Sequence, residues 1–305
     1  MALKLIFMGT PDFAVPILKS IILSKHEILT VYTQPPRKSN RGQKTQYSSV
    51  HKYSQINKLS VRYPNEFDFV EQNHIKKLKP DVVVVAAYGK LLPKNIINIK
   101  NIKFINVHAS LLPRWRGAAP IQRSIIEMDK ETGISIMKIE SGLDTGPYML
   151  QEKVKIKRDD NFKSLSNKLS ILGSKMILKA LNLIEKNNFN FKAQDESKAT
   201  YAKKISKKES EINWNISASK LIAKINGLNP SPGAWFKHKD IRFKIIEAVE
   251  VEKFGEIGTI LDNDLIIGCK KNSIQILAIQ KEGKKILKTK DFLAGYKFKL
   301  GEKLY

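Results

Sequence analysis

Apolar residues in the first 140 positions alternate between short continuous runs and stretches that repeat every three or four residues. The Val-rich run at residues 81–86 is typical of a strand buried on both faces of a parallel sheet. The predicted strands cover residues 3–8, 27–32, 59–63, 81–86, 104–108 and 134–139, and the predicted helices about 13–24, 67–78 and 121–128. This alternation predicts an α/β fold with a doubly wound, Rossmann-like, mostly parallel sheet.

The pattern changes twice in the second half of the chain. Residues 162–184 form a long amphipathic pattern typical of a helix, and residues 189–208 then lose periodicity and become polar and basic. After them we predict a helix at 218–226 with Ser217 as its N-cap, and short strands at 241–251, 258–261, 265–269 and 273–279. These elements predict a small OB-like β-barrel, a class that often binds oligonucleotides. The expected domains are therefore 1–188 and 209–305, joined by a basic linker at 189–208.

Composition narrows the class of protein. No apolar run approaches the roughly 20 residues of a membrane span, and residues 1–8 are too short for a signal sequence. The single cysteine, Cys269, excludes an internal disulfide and a multi-cysteine metal site. We therefore expect a cytoplasmic, monomeric protein that uses no metal and does not bind a membrane.

The charge is one-sided, with 54 Lys and Arg against 29 Asp and Glu, a net charge of +25. No acidic residue lies between Glu27 and Glu66, whereas this stretch holds seven basic ones. A second basic run comprises Lys198, Lys203, Lys204, Lys207 and Lys208. A/T-rich coding explains part of the lysine content, but clustered positive charge also favours a polyanionic partner such as a nucleic acid.

A dinucleotide site is the first candidate that a doubly wound sheet suggests. Residues 9–13, after the first predicted strand, read Gly-Thr-Pro-Asp-Phe rather than the glycine-rich G-x-G-x-x-G pattern. Glu27 begins the second strand, whereas a ribose-binding acid should end it. NAD binding is therefore not expected.

A different set of polar residues follows the later strands. Asn106 and His108 are two apart on a predicted strand and therefore lie on the same face of it. Asp144 lies between the turn glycines Gly142 and Gly146, after the next strand. An amide, an imidazole and a carboxylate together can stabilise an oxyanion and accept a proton from an amine. On spacing alone, a structural strand-end histidine and a turn aspartate remain an alternative.

Three segments add a family resemblance. Residues 106–113 read Asn-Val-His-Ala-Ser-Leu-Leu-Pro, residues 114–122 read Arg-Trp-Arg-Gly-Ala-Ala-Pro-Ile-Gln, and residues 142–146 read Gly-Leu-Asp-Thr-Gly. They resemble the formyltransferases that use 10-formyltetrahydrofolate, and most of all the members of that family that act on methionyl-tRNA. Further similar segments lie at 9–14, 33–44, 87–89, 212–214 and 229–233, so the resemblance covers nearly the whole chain.

The resemblance implies a role for each matched residue. The implied catalytic residues are Asn106, His108 and Asp144. The implied folate site comprises Ser110, Leu111, Leu112 and Pro113, with the pterin ring near Leu91, Leu92 and Ile139. The implied tRNA-binding residues are Arg37, Lys38, Arg41 and Lys44 of a basic loop, together with Lys203, Lys204 and Lys207 of the second basic run. The implied formyl donor is 10-formyltetrahydrofolate, no metal is required, and the implied partner is initiator methionyl-tRNA.

Two further interpretations stay open at this point. A related formyltransferase could act on a sugar amine or small nucleotide, or hydrolyse formyl-folate. A nucleic-acid-binding protein could also retain the three polar residues without using them. The loop at Lys38, Ser39 and Asn40 departs from the Pro/Ala/Gly-rich loop usual in the family, so its detailed contacts cannot be transferred.

Overall fold

The computed structural model describes residues 1–39 and 44–304. The strands are β1 Lys4–Gly9, β2 Glu27–Tyr32, β3 Arg37–Ser39, β4 Lys44–Gln46, β5 Val61–Arg62, β6 Val82–Ala86, β7 Lys103–His108, β8 Arg116–Gly117, β9 Glu131–Lys138, β10 Tyr148–Lys155, β11 Tyr201–Ala202, β12 Ala234–His238, β13 Ile241–Val251, β14 Ile266–Gly268, β15 Ser273–Lys281 and β16 Ile286–Lys288. The helices are α1 Ala14–Ile22, α2 Ser49–Ile56, α3 Phe69–Leu78, α4 Lys94–Ile97, α5 Pro120–Ile126, α6 Phe162–Glu185, α7 Ala218–Leu228 and α8 Thr289–Gly295. Within these ranges no helix is both long enough and apolar enough to cross a membrane.

The chain divides into two compact units. The first unit comprises residues 1–120, 132–154 and 166–202, and the second comprises 121–131, 155–165 and 203–305. The segment at 189–202 therefore clusters with the first unit, and the second unit takes short segments from the middle of the chain.

A seven-stranded sheet forms the centre of the first unit, in the order β10-β9-β7-β6-β1-β2-β5. The pairs between β7 and β5 are parallel, and β9 runs antiparallel to β7. The chain builds outward from β1 to β2 and β5, then crosses back to β6 and continues to β7. The α/β class and the largely parallel sheet predicted from the sequence are confirmed, and the order reverses between β1 and β6.

Local sequence explains most element boundaries. All five residues of β6 are buried, as expected for a β-branched run covered on both faces. Helix α3 begins at Phe69, two residues later than predicted, because the Asp68 carboxylate accepts a hydrogen bond from the Glu71 backbone N–H and caps the helix. The predicted strand at 59–63 shortens to β5, and the one at 134–139 extends back to Glu131 as β9.

The second unit is built on an antiparallel sheet in the order β12-β13-β15-β14, with β16 also paired to β15. Helix α7 is capped by the Ser217 hydroxyl, as predicted. Gly227 of this helix allows close packing, because a Cβ at that position would press on Ile126 and on the Gln122 carbonyl oxygen. The core of the unit is therefore formed by helices and one face of the sheet.

Several strand predictions need correction. Residues 258–261 do not form a regular strand, because Gly258 adopts a φ of +77° and only isolated bridges at Thr259 and Ile260 follow it. The strand predicted at 265–269 shortens to β14. The hydrophobic pattern does not predict the strands β3, β4, β8, β10, β11, β12 and β16.

An ion pair within the second unit gives a testable pH dependence. Arg123 donates two hydrogen bonds to the Glu209 carboxylate, and this contact lowers the pKa of Glu209. A carboxylate with a lowered pKa stabilises the fold above its unfolded-state pKa of about 4.3, and this contribution is lost as the pH falls through the folded-state pKa. We expect Glu209→Gln to lower the free energy of unfolding at pH 7 by about 1–2 kcal/mol, and less in acid.

Urea titrations at pH 7 and in acid measure this difference. Glu256→Gln is the matched control, because Glu256 pairs with Lys303 at the surface of the same unit and is 68% exposed. Exposed pairs contribute little, so we expect almost no change from the control. Equal losses from both variants, or a loss from Glu209→Gln that does not depend on pH, would contradict this account.

Candidate active site

Strand β7 carries two of the predicted site residues to the carboxyl edge of the parallel strands. Asn106 pairs in register with Val85 of β6 and Met137 of β9, and His108 pairs with Ser135. Both side chains lie on one face of the strand because they are two residues apart. His108 is only 5% exposed, whereas Asn106 is half-buried. This is the edge at which open α/β sheets bind ligands.

The loop after β7 fixes the orientation of the His108 ring. The Ser110 hydroxyl donates to the Arg114 carbonyl oxygen at 2.5 Å, and Ser110 accepts at its own carbonyl from the Ser135 hydroxyl. The loop brings the Trp115 carbonyl oxygen to 2.9 Å from His108 Nε2. A carbonyl can only accept, so His108 Nε2 carries the proton and Nδ1 faces the rest of the site.

A strained turn presents Asp144 to this ring. Asp144 adopts a φ of +52°, a left-handed conformation that costs about 1–2 kcal/mol for a residue with a Cβ. Glycine is required on both sides, because a Cβ at Gly146 would collide with the Lys138 carbonyl and one at Gly142 with the Thr145 side chain. Oδ2 of Asp144 accepts the Gly117 backbone N–H at 2.8 Å. The turn is thereby fixed relative to the loop after β7.

The structure brings the three residues of the predicted catalytic set together. Asp144 Oδ2 lies 3.7 Å from His108 Nδ1, and Asp144 Oδ1 lies 3.5 Å from Asn106 Nδ2. The carboxylate can stabilise positive charge on the imidazole or accept a proton, and the amide can donate to an oxygen that becomes negative. Among residues 1–39 and 44–304, no cluster of three or more His, Cys, Asp or Glu side chains could hold a metal ion.

The candidate folate residues fall into two groups. Ser110 and Leu112 are buried in the loop after β7, where the Ser135 hydroxyl accepts the Leu112 N–H and Gln151 donates to the Leu112 carbonyl. Leu111 and Pro113 in the same loop are half-buried. Leu92 and Ile139 both pack on the cluster around Tyr88, whereas Leu91 is 80% exposed and does not join it.

The candidate tRNA-binding residues lie in both units. Arg37 is exposed and donates to the Gln34 side-chain oxygen, and Gln34 in turn donates to the Tyr88 carbonyl oxygen at 3.0 Å. Lys38 and Lys44 lie on the backbones of β3 and β4, but their side chains are outside the described part of the chain, as is the whole of Arg41. In the second unit the side chains of three lysines are exposed: Lys203, Lys204 and Lys207.

Sequence reasoning missed the residues that support the site from the segment at 194–202. Its strand β11 pairs with β8, which places Tyr201 beside Arg116 and Ala202 beside Gly117. A two-residue strand leaves no hydrophobic period, so the pattern analysis had no signal for it. The run Arg-Trp-Arg-Gly at 114–117 was the one available indication that this loop is structured.

The sequence matches two family models, described as formyl transferase at residues 3–181 and formyl transferase, C-terminal domain, at residues 204–297. The chain therefore belongs to the formyl transferase family. It is 48% identical to a methionyl-tRNA formyltransferase from Pelagibacter ubique over 307 aligned residues, which cover 100% of this chain and 99% of the relative. The family resemblance drawn from the motifs is confirmed.

Solved structures share the fold at lower identity. HypX from Aquifex aeolicus in complex with tetrahydrofolic acid matches with a TM-score of 0.68 and 15% identity, over 96% of this chain and 47% of HypX. The chain thus spans about half the length of HypX. An N-formyltransferase from Helicobacter canadensis, solved with folinic acid and dTDP-3-aminofucose, matches with a TM-score of 0.67 and 18% identity, over 92% of this chain and 100% of that one.

The hydrogen bond to Trp115 predicts the tautomer of His108. We expect the neutral ring to carry its proton on Nε2 and to leave Nδ1 bare toward Asp144, because the Trp115 carbonyl accepts only from a protonated nitrogen. Long-range ¹H–¹⁵N correlation spectra distinguish the two nitrogens, and His108→Gln assigns the signals by removing them. A proton found on Nδ1 of the neutral ring would contradict the geometry.

Proposed function

We propose that the protein transfers the formyl group of 10-formyltetrahydrofolate to the α-amino group of methionine on initiator methionyl-tRNA, forming N-formylmethionyl-tRNA. The observation that carries this proposal is the meeting of Asn106, His108 and Asp144 within 4 Å at the carboxyl edge of the sheet. Full-length similarity to a methionyl-tRNA formyltransferase supports the same substrate.

The site fits a folate co-substrate in its chemistry. The loop after β7 offers backbone groups and partly exposed apolar side chains at Leu111 and Pro113, and Leu92 and Ile139 provide a second apolar surface. These features suit a flat ring with a polar edge, which needs apolar contact and a few fixed hydrogen bonds. The co-substrate supplies a formyl carbon bound to nitrogen, and the chain's own residues orient it and move protons.

The reaction joins the amino nitrogen of methionine to the formyl carbon and breaks the bond from that carbon to N10 of the folate. Asn106 Nδ2 and the protonated ring of His108 donate to the formyl oxygen as it becomes negative. Asp144 stabilises the protonated ring and accepts the proton that the amine loses, and N10 gains a proton as it leaves. One proton is thus lost and one is gained.

The alternatives of the sequence analysis are less well supported. The likeness to the Helicobacter canadensis enzyme is at 18% identity and describes the fold alone. A sugar-modifying enzyme or a formyl-folate hydrolase has little use for exposed lysines at 203, 204 and 207. A binding protein without catalysis has no use for a carboxylate held in a strained turn beside a histidine.

The remaining expectations belong to this proposal. The C-terminal antiparallel sheet forms part of an OB-like barrel that holds tRNA, the proposed domains are 1–188 and 209–305 with a linker at 189–208, and Arg41 clamps a phosphate of the acceptor end. Arg37 and the backbones of Lys38 and Lys44 surround that position. The protein is expected to act as a cytoplasmic monomer without a metal.

The chemistry is tested by His108→Ala and Asp144→Asn. Each removes a group that stabilises the reacting atoms, so we expect kcat to fall roughly 10²–10³-fold while the melting temperature stays close to wild type. Formylation assays with initiator methionyl-tRNA, elongator methionyl-tRNA and free methionine measure the rate and the substrate preference. Asp240→Asn is a matched control, because Asp240 is an exposed turn aspartate with a φ of +60°. Turnover of His108→Ala within twofold of wild type would refute the assignment.

Binding of tRNA is tested by replacing Lys203, Lys204 and Lys207 with Gln. Each phosphate neutralised contributes about −0.7 to −0.9 to the slope of log affinity against log salt, so we expect the slope to become shallower by roughly two units. The control replaces three exposed lysines of the first unit, Lys76, Lys77 and Lys79. Identical slopes for the two triple variants would show that the lysines at 203–207 act only as bulk charge.

A further inference from the structure

The segment at 194–202 forms the outer support of the active site. Thr200 accepts the Arg116 backbone N–H at its carbonyl oxygen and the Trp115 N–H at its hydroxyl, both at 2.9 Å. Ala202 accepts the Ala118 N–H at 2.9 Å. The loop that binds His108 and Asp144 is therefore paired on its other edge with this segment, within the first unit.

The side chain of Arg116 determines how Gln194 is oriented. Arg116 is completely buried and donates two hydrogen bonds to the Glu196 carboxylate, at 2.8 and 2.6 Å. Its Nε donates to the Gln194 side-chain oxygen at 3.0 Å. Since a guanidinium has only donors, the amide oxygen of Gln194 must face Arg116 and the amide NH₂ must face the opposite way.

That NH₂ group is directed at the turn that carries Asp144. Gln194 Nε2 lies 2.8 Å from the Asp144 carbonyl oxygen and 2.7 Å from the Gly146 carbonyl oxygen. One amide thus holds two carbonyls of a turn whose central residue has a φ of +52°. Without it, the backbone at Asp144 keeps the Gly117 contact but loses both of its bonds to the segment at 194–202.

We propose that Gln194, oriented by the Arg116–Glu196 ion pair, is a positioning residue that holds the Asp144 carboxylate at its working distance from His108. This inference rests on the catalytic role proposed for Asp144. Gln194 has no assigned contact with the reacting atoms, so it acts through the turn. A displacement of about 1 Å at a catalytic group can lower a rate strongly, because such groups act only in a narrow geometry.

The first variant is Gln194→Met, which keeps the length of the side chain and removes both polar atoms. We expect the single-turnover formylation rate to fall about tenfold, whereas KM for the folate changes less than twofold and the melting temperature changes little. Gln194→Glu is the second variant: it retains an acceptor for Arg116 but loses the donor to the two carbonyls, so we expect the same loss of rate. Gln72→Met is the control, because Gln72 also donates from its amide to a backbone carbonyl, that of Asn95.

A double variant shows whether Gln194 acts through Asp144. In an Asp144→Asn background the carboxylate is already absent, so adding Gln194→Met should slow the reaction less than twofold further. Multiplying losses would overturn the proposal, as would a normal single-turnover rate in both single variants, or an unchanged rate per folded molecule with a large fall in melting temperature. If Asp144→Asn itself had no effect on the rate, the proposed function of Asp144 would fail instead, and the two failures are therefore distinguishable.

Discussion

The site depends on keeping one carboxylate close to one imidazole across two segments that are far apart in sequence. His108 Nδ1 and Asp144 Oδ2 are 3.7 Å apart, and neither residue determines this distance by itself. The ring is fixed by the Trp115 carbonyl, and the carboxylate is fixed by the Gly117 N–H. Both of these groups belong to one short loop, so the position of that loop sets the geometry of the pair.

Backbone hydrogen bonds carry this constraint because the loop has few apolar contacts to offer. Its strand β8 is two residues long, and the partner strand β11 is equally short. A pairing of this length is stable only when side chains reinforce it, and the bidentate contact between Arg116 and Glu196 supplies that reinforcement. Burial of Arg116 is tolerated because its charge is paired and its donors are used.

The predictability of each part follows from the kind of interaction that holds it. Strand β6 and the spacing of Asn106 and His108 could be predicted, because burial on a sheet imposes a visible pattern on side chains. The turn at Asp144 was located by its two glycines, whose missing Cβ atoms the Lys138 carbonyl and Thr145 require. The support from 194–202 is polar and aperiodic, so the same method classified that stretch as a linker.

Arginine and lysine have different tasks in this strongly basic chain. Arg62, Arg116 and Arg123 each bind a carboxylate with two nitrogens, on Glu71, Glu196 and Glu209 respectively. Such planar, two-point contacts need a guanidinium, because an ammonium group offers a single centre of charge. The exposed lysines carry the surplus positive charge, which acts at long range and is screened by salt. Salt can therefore weaken the attraction of a polyanion to the surface while the buried Arg116 contact, and with it the loop that orients His108 and Asp144, keeps its geometry.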